Sequence, residues 1–233
     1  LYLKILDLPM SISTLVKFFA VYYPRITLIG FSTMLLVSMY LYPGSTYHNH
    51  ETTSYLFSEN FLSDLGRTIT HGGHNNFHSS ILFNMALSFA GVTYIIFYAI
   101  SINLFNNIFL SSLGSLFGIC GGVCCIGVAM TPSDLFFNDH IFYNTWLFRS
   151  FLISIILYSF LIYKSQKINN WYLLGNIIFI LSLLIYILIL KFGPSPRVSY
   201  DALVFQAISQ KVILFNFMAS IIIQTYGYNK IID

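Results

Sequence analysis

The chain has 233 residues, of which 57% are hydrophobic and only 8% charged, and its net charge is +3. A soluble domain averages about 25% charged residues, so a water-soluble globule is excluded, and so slight a positive charge argues against a nucleic-acid partner. The apolar residues fall in continuous runs of about 20, the length of a helix that crosses a bilayer, rather than in the alternating segments of about 10 that mark a membrane β-barrel.

Taken in chain order, residues 1–25 mix Lys4, Asp7 and Lys17 with leucines and phenylalanines and read as an interfacial segment leading into the first span. No small-residue cleavage pattern follows the first apolar run. Six spans are expected at about 26–42, 80–102, 109–130, 142–163, 171–190 and 202–226. Pro43-Gly44, Asn106-Asn107, Thr131-Pro132, the polar link KSQKINN and FGPSP separate them. The expected fold is therefore all-α: a single polytopic membrane domain over 1–233, a bundle of about six transmembrane helices with a long first outer loop.

Six spans put both termini on one side. That side carries Lys4, Lys17, Arg25, Lys164, Lys167 and Lys230, whereas the other carries Arg67, Lys191 and Arg197 in its loops. Basic residues favour the cytoplasm, so both termini are expected there, with a bacterial inner membrane as the location. Glu51, Glu59, Asp64, Asp134, Asp139, Asp201 and all six histidines lie on the outer side, which is where polar chemistry would occur.

Several clusters stand out. Gly114, Gly118 and Gly122 recur at four-residue spacing in span three and predict a close helix-packing seam. Arg149 lies inside span four, where a charge must snorkel, pair or meet water; Asp64 and Asp139 are its expected partners, and a lipid headgroup is the alternative. Lys211, with Gln206 and Gln210 beside it in span six and Asn84 in span two, would line an outward-opening polar cavity together with Arg149, or bond between helices. His71, His74 and His78 have the spacing of a helical zinc site, but Gly72-Gly73 argues against a helix there and leaves a solvated loop as the other reading. Cys120, Cys124 and Cys125 share one apolar run and read as small packing residues rather than as a disulfide framework.

The strings YPGSTYH, NFLSDLGRT and SSILFN, followed by LGSLFGICGGVCCIGVAMTPSDL, Asp139-His140, Arg149, FGPSP, QKVILF and IIQTYG, occur in an order that resembles an uncharacterised family of bacterial six-span membrane proteins, domain of unknown function 998. That family is distantly similar to the eukaryotic Frag, DRAM and Sfk membrane proteins. The resemblance covers nearly the whole chain from about Tyr22. It implies a six-helix bundle with an outer first loop and, through the eukaryotic relatives, a loose link to lipids; it supplies no reaction, and the triple histidine is not part of its pattern.

The expected function is the binding or organising of membrane lipid at an outward-facing polar site formed by Asp64, Arg67, Asp139, His140, Arg149 and Lys211, with no cofactor. Two other classes remain open: a lipid-modifying enzyme, hydrolase or acyl transferase, using Asp64, Asp139 and His140, and a small-molecule transporter using Arg149 and Lys211. No inverted repeat or broken-helix pair supports the transporter.

Overall fold

The computed structural model describes residues 12–232. Six helices are long and apolar enough to cross a membrane. They are α1 (Ser13–Leu41), α2 (Phe77–Ser101), α3 (Ile108–Met130), α4 (Phe137–Lys164), α5 (Leu173–Phe192) and α6 (Tyr200–Ile232). The protein is an all-helical integral membrane protein.

The helix ends follow local chemistry. Asn107 caps α3 by accepting from the backbone N–H of Leu110 at 3.1 Å. Thr131-Pro132 ends α3, and Gly193-Pro194 ends α5. Within α1 the backbone widens to a π-helix over Phe18–Tyr22, immediately before Pro24. Proline offers no N–H to the preceding turn and its ring crowds that turn's carbonyl, and the wider turn makes room for it.

Several boundaries differ from the sequence reading, α6 running on to Ile232 instead of 226, and two of them have a local cause. Residues 12–25 continue α1 instead of lying apart as an interfacial segment, because the π-turn carries the helix through Pro24; residues 1–11 of that segment lie outside the described residues. Helix α4 begins five residues before the expected 142, which takes Asp139 and His140 out of a loop and into its first turn. A carboxylate there complements the positive end of the helix dipole.

Consecutive helices α1 to α4 pack side by side, α5 pairs with α6, and α6 closes the ring against α1. The centre is filled by aromatic side chains from four different helices. Tyr94 and Phe151 meet Phe217 with ring centroids 5.1 and 4.7 Å apart, Phe179 meets it at 5.0 Å, and Phe97 stacks on Tyr228 at 5.3 Å. Offset and edge-on pairs of this kind add to plain apolar burial.

Helix α3 lies between α2 and α4, and glycines let both approach. A Cβ on Gly118 would fall 2.2 Å from the Tyr98 ring of α2, and one on Gly122 would fall 2.8 Å from the Gly91 carbonyl oxygen. Gly114 faces the other way, toward Tyr158 of α4 at 3.0 Å. The three glycines therefore serve two interfaces rather than one seam. Gly118→Leu should cost about 1–3 kcal/mol, toward the upper end because the obstacle is a fully buried ring. Gly30→Leu on α1, where a Cβ meets nothing within 4 Å, should cost little. Thermal unfolding of the two variants in the same detergent checks this; equal melting temperatures would mean that Tyr98 can move aside.

Candidate functional site

The segment between α1 and α2, residues 42–76, has almost no regular structure and is instead tied together by side chains. Three stretches conspicuous in the sequence, YPGST, NFLSDLG and HGGHNN, converge in it. Gly44 turns the chain at φ +105°, and a Cβ there would sit 2.0 Å from the Thr52 carbonyl oxygen. Ser45 follows at φ +72°, a region that a residue with a Cβ rarely adopts. It is held there from three sides: its carbonyl accepts from the Asn60 amide at 2.9 Å, its hydroxyl accepts from the Gly72 N–H at 2.9 Å, and its own N–H donates to the Thr52 carbonyl at 2.9 Å.

Asp64 is the hub. It lies in the single 3₁₀ turn Leu62–Gly66 and is buried. One carboxylate oxygen accepts from the Phe61 N–H at 2.9 Å and the Asn60 amide at 3.1 Å; the other meets His71 Nε2 at 3.1 Å. Asn60 passes the connection on, because its carbonyl accepts from the Lys211 amine at 2.6 Å. Lys211 also donates to the Ala207 carbonyl at 3.0 Å, and its amine lies 5.0 Å from the Phe57 ring centre and 5.5 Å from that of Tyr55. Gln210, beside it, accepts from the Leu62 N–H at 2.8 Å. The loop is thus plugged onto α6 at two successive residues. Burial first, and then the Asp64 charge, push the phenols of Tyr42 and Tyr55 above their ordinary range.

A second clasp fixes the loop to the α3–α4 turn. Asp134 accepts from the backbone N–H groups of Thr68 and Ile69 and from the Thr68 hydroxyl. Partial burial by itself pushes this carboxyl up, but those hydrogen bonds outweigh it and hold the group below its ordinary value. Asn76 completes the packing by donating to the Leu65 and Arg67 carbonyls at 3.0 and 2.8 Å.

Of the residues expected to form the polar site, Asp64 and Lys211 are brought together through Asn60. The others are not. Asp139 and Arg149 are exposed, and among the described residues Arg149 has no carboxylate partner. Its guanidinium lies over Trp146 at 5.7 Å. The side chain of a helical residue points back toward the helix start, so Arg149 snorkels along the lipid-facing side. Arg67 bonds to the Ile69 carbonyl at 3.0 Å within its own loop. Of the two readings of the histidines, the helical zinc site does not form: His71 turns to Asp64, His74 and His78 are exposed, and no group of three His, Cys, Asp or Glu side chains among the described residues could hold a metal ion. The polar cavity expected from Arg149, Lys211, Gln206, Gln210 and Asn84 resolves into separate contacts: Gln206 bonds to the Pro194 carbonyl at 3.0 Å, and Asn84 faces the Gly66 carbonyl at 3.4 Å.

Beneath the loop lies a cavity of about 110 Å³. Leu62 and Ser63 roof it; Tyr94, Phe151, Phe179 and Phe217 line it together with aliphatic side chains of α2, α3, α4 and α6. Its lining also includes the polar residues Ser63, His140, Asn144 and Gln210. The Nδ1 atom of His140 is 2.7 Å from the Thr131 carbonyl oxygen. A carbonyl only accepts, so Nδ1 carries the hydrogen and the neutral ring presents Nε2 as an acceptor. Sequence reasoning named His140 and Gln210, and Asp134 only as one of the outer-side acids; it had no signal for Ser63 or Asn144 as cavity residues, and it missed Asn60 and Ser45. A polar residue beside Pro-Gly or Asp reads as ordinary loop chemistry until its long-range partner is in place.

These features define the class: a six-helix integral membrane protein whose first loop is folded into one mouth of the bundle above a mostly apolar, partly open cavity. No family model matches the chain, and neither a curated protein nor a solved structure does.

The Asp134 clasp has a pH signature. A carboxyl whose folded-state value is depressed contributes stability that is present above its unfolded value and lost as pH falls through the folded one. The contribution should be full above the ordinary value of 3.8 and disappear below it. Asp134→Asn should accordingly melt below the native protein at neutral pH, and the gap should close as the pH is lowered through that range. A gap that stays constant down to strongly acidic pH would show that Asp134 acts only through its shape.

Proposed function

We propose that this chain binds lipid, admitting a short stretch of one acyl chain into the cavity beneath the first loop with the polar end of the lipid toward Ser63, His140, Asn144 and Gln210. The observation that carries this reading is the cavity's division into an aromatic and aliphatic wall and a small polar roof, the usual make-up of a site for an amphipathic ligand. An apolar wall gives a polar transport substrate nothing to bind. Lys211, which a transporter would need exposed, is committed to Asn60 and Ala207. The link to lipids implied by the resemblance points the same way by analogy. The polar site expected from Asp64 and Lys211 has a supporting role in this reading, since it holds down the roof.

Native mass spectrometry of the purified chain should show one co-purified acyl lipid. Monoacylglycerol added to delipidated protein should raise its melting temperature in a saturable way, by the equivalent of about 2.7 kcal/mol at a hundredfold excess over the dissociation constant. Ala90→Leu, which pushes bulk into the cavity wall, should remove the monoacylglycerol shift and lower the co-purified lipid by one copy, while Ala99→Leu on an exposed face should change neither. Equal lipid occupancy in the two variants would reject the cavity as the site.

The side of the membrane is part of the same proposal. The basic residues around the termini and the 165–169 link favour cytoplasmic termini in a bacterial inner membrane, which puts the cavity roof outside. With the native cysteines replaced, single cysteines at Thr53 and Gln166 would be treated on intact cells with a membrane-impermeant maleimide. Position 53 alone should react; reaction at position 166 alone would invert the topology.

A further inference from the structure

The opposite half of the bundle carries a second feature, independent of the cavity. A groove of about 390 Å³ runs between α1 and α6 on the side facing away from the bundle core. Its walls are Leu28, Ile29, Leu36, Met218 and Ile222, and Arg25 stands at the end nearer the termini. Arg25 is held unusually firmly for an arginine. Its Nε–H donates to the Thr225 hydroxyl at 2.8 Å, Thr225 donates onward to the Ile222 carbonyl at 2.6 Å, and the guanidinium carbon lies 3.9 Å from the centre of the Tyr226 ring. These contacts fix the plane of the guanidinium but occupy only one of its nitrogens. Among the described residues no acid pairs with it, and only its Nε is hydrogen-bonded, to Thr225.

We infer that Arg25 and this groove form a binding site for a phospholipid of the leaflet on the side of the termini, with the phosphate on the two outer guanidinium nitrogens and an acyl chain along Leu28, Ile29, Met218 and Ile222. The planar fork of arginine matches two phosphate oxygens at once. Stacking on Tyr226 and the bond to Thr225 remove in advance the side-chain freedom that binding would otherwise cost. Charge complementarity selects the occupant: the groove is mostly apolar, its Ser32 and Thr33 hydroxyls being turned back onto the Leu28 and Ile29 carbonyls, and it is cationic at one end, as a phospholipid is apolar along its chains and anionic at its phosphate. A second apolar helix would leave the cation unmatched.

The test uses the full chain in detergent, delipidated, and compares phosphatidylglycerol with diacylglycerol bearing the same two acyl chains, read by native mass spectrometry and by the shift in melting temperature. The native protein should bind the phospholipid about tenfold more tightly than diacylglycerol, the scale of one charge-assisted hydrogen bond. Arg25→Gln should bring the two to parity, and Tyr226→Leu, which frees the guanidinium but keeps its charge, should lower the preference partway. Met218→Trp should block the groove and weaken both ligands, so the proposal stays testable even if Arg25→Gln folds poorly. Inorganic phosphate alone should produce no comparable shift; if it does, the site takes a soluble anion and the lipid assignment is wrong. Parity of the two lipids on the native protein, or an unchanged preference in Arg25→Gln, would also overturn it. The Ala90→Leu variant should keep the preference, which separates this site from the acyl-chain cavity.

Discussion

The structure depends on a buried carboxylate at the mouth of a bundle. Asp64 draws together a backbone N–H, the Asn60 amide and a histidine ring, and through Asn60 it is linked to the Lys211 amine. Neither the carboxylate nor the amine would be tolerated so deep without such partners. Removing Asp64 would leave the Phe61 N–H without its acceptor and His71 without its partner, and removing Lys211 would release the Asn60 carbonyl. What the pair achieves is the placement of a loop with little regular structure of its own: Ser45, Asn60, Leu62 and Gly72 are fixed relative to one another and to α6, and the cavity acquires a roof.

The division of labour between the two halves of the bundle follows from where polar groups can be satisfied. On the loop side, loop backbone supplies enough donors and acceptors to absorb buried charge. On the termini side the buried polar residues satisfy each other between helices. Asn176 accepts from Ser220 at 2.8 Å and from Gln224 at 3.0 Å, and donates to Ser159 at 3.0 Å. Such a closed network ties α4, α5 and α6 together without leaving a group for chemistry. The aromatic cluster around Phe217 separates the two regimes and closes the cavity from below.

The helices were legible because each is a long apolar run bounded by proline, glycine or asparagine, and helix α1 was misjudged only where a π-turn let it continue through Pro24. Lys211 and Asp64 were legible as buried charges but not as neighbours, since 147 positions separate them in the sequence and no local pattern encodes the meeting. Arg149 was misread for a more instructive reason. A charge inside a span was assumed to face inward, yet Phe142, Trp146, Ile153, Ile156 and Phe160 share its stripe at helical spacing and all are exposed, whereas Ser150 and Ser154 lie on the buried stripe. In a lipid-facing helix the small polar residues mark the interior, and the bulky apolar ones mark the outside. The histidine triplet failed through geometry: Gly73 adopts φ +84°, the chain turns back at residues 70–74, and three rings that would line up on a helix are dispersed.

The plugging of the first loop onto α6 also sets an order of events during synthesis. A chain made from its N-terminus exposes residues 42–76 soon after α1 enters the bilayer, but the Asn60 carbonyl and the Leu62 N–H find their partners on Lys211 and Gln210, which belong to α6 and are made after the other five helices. Until α6 arrives, the hydrogen bonds that pin the plug to the bundle cannot form. Completion of the loop is therefore a built-in signal that all six helices are in place, and a truncated or misinserted chain carries its own mark in a segment that stays undocked and open to proteases.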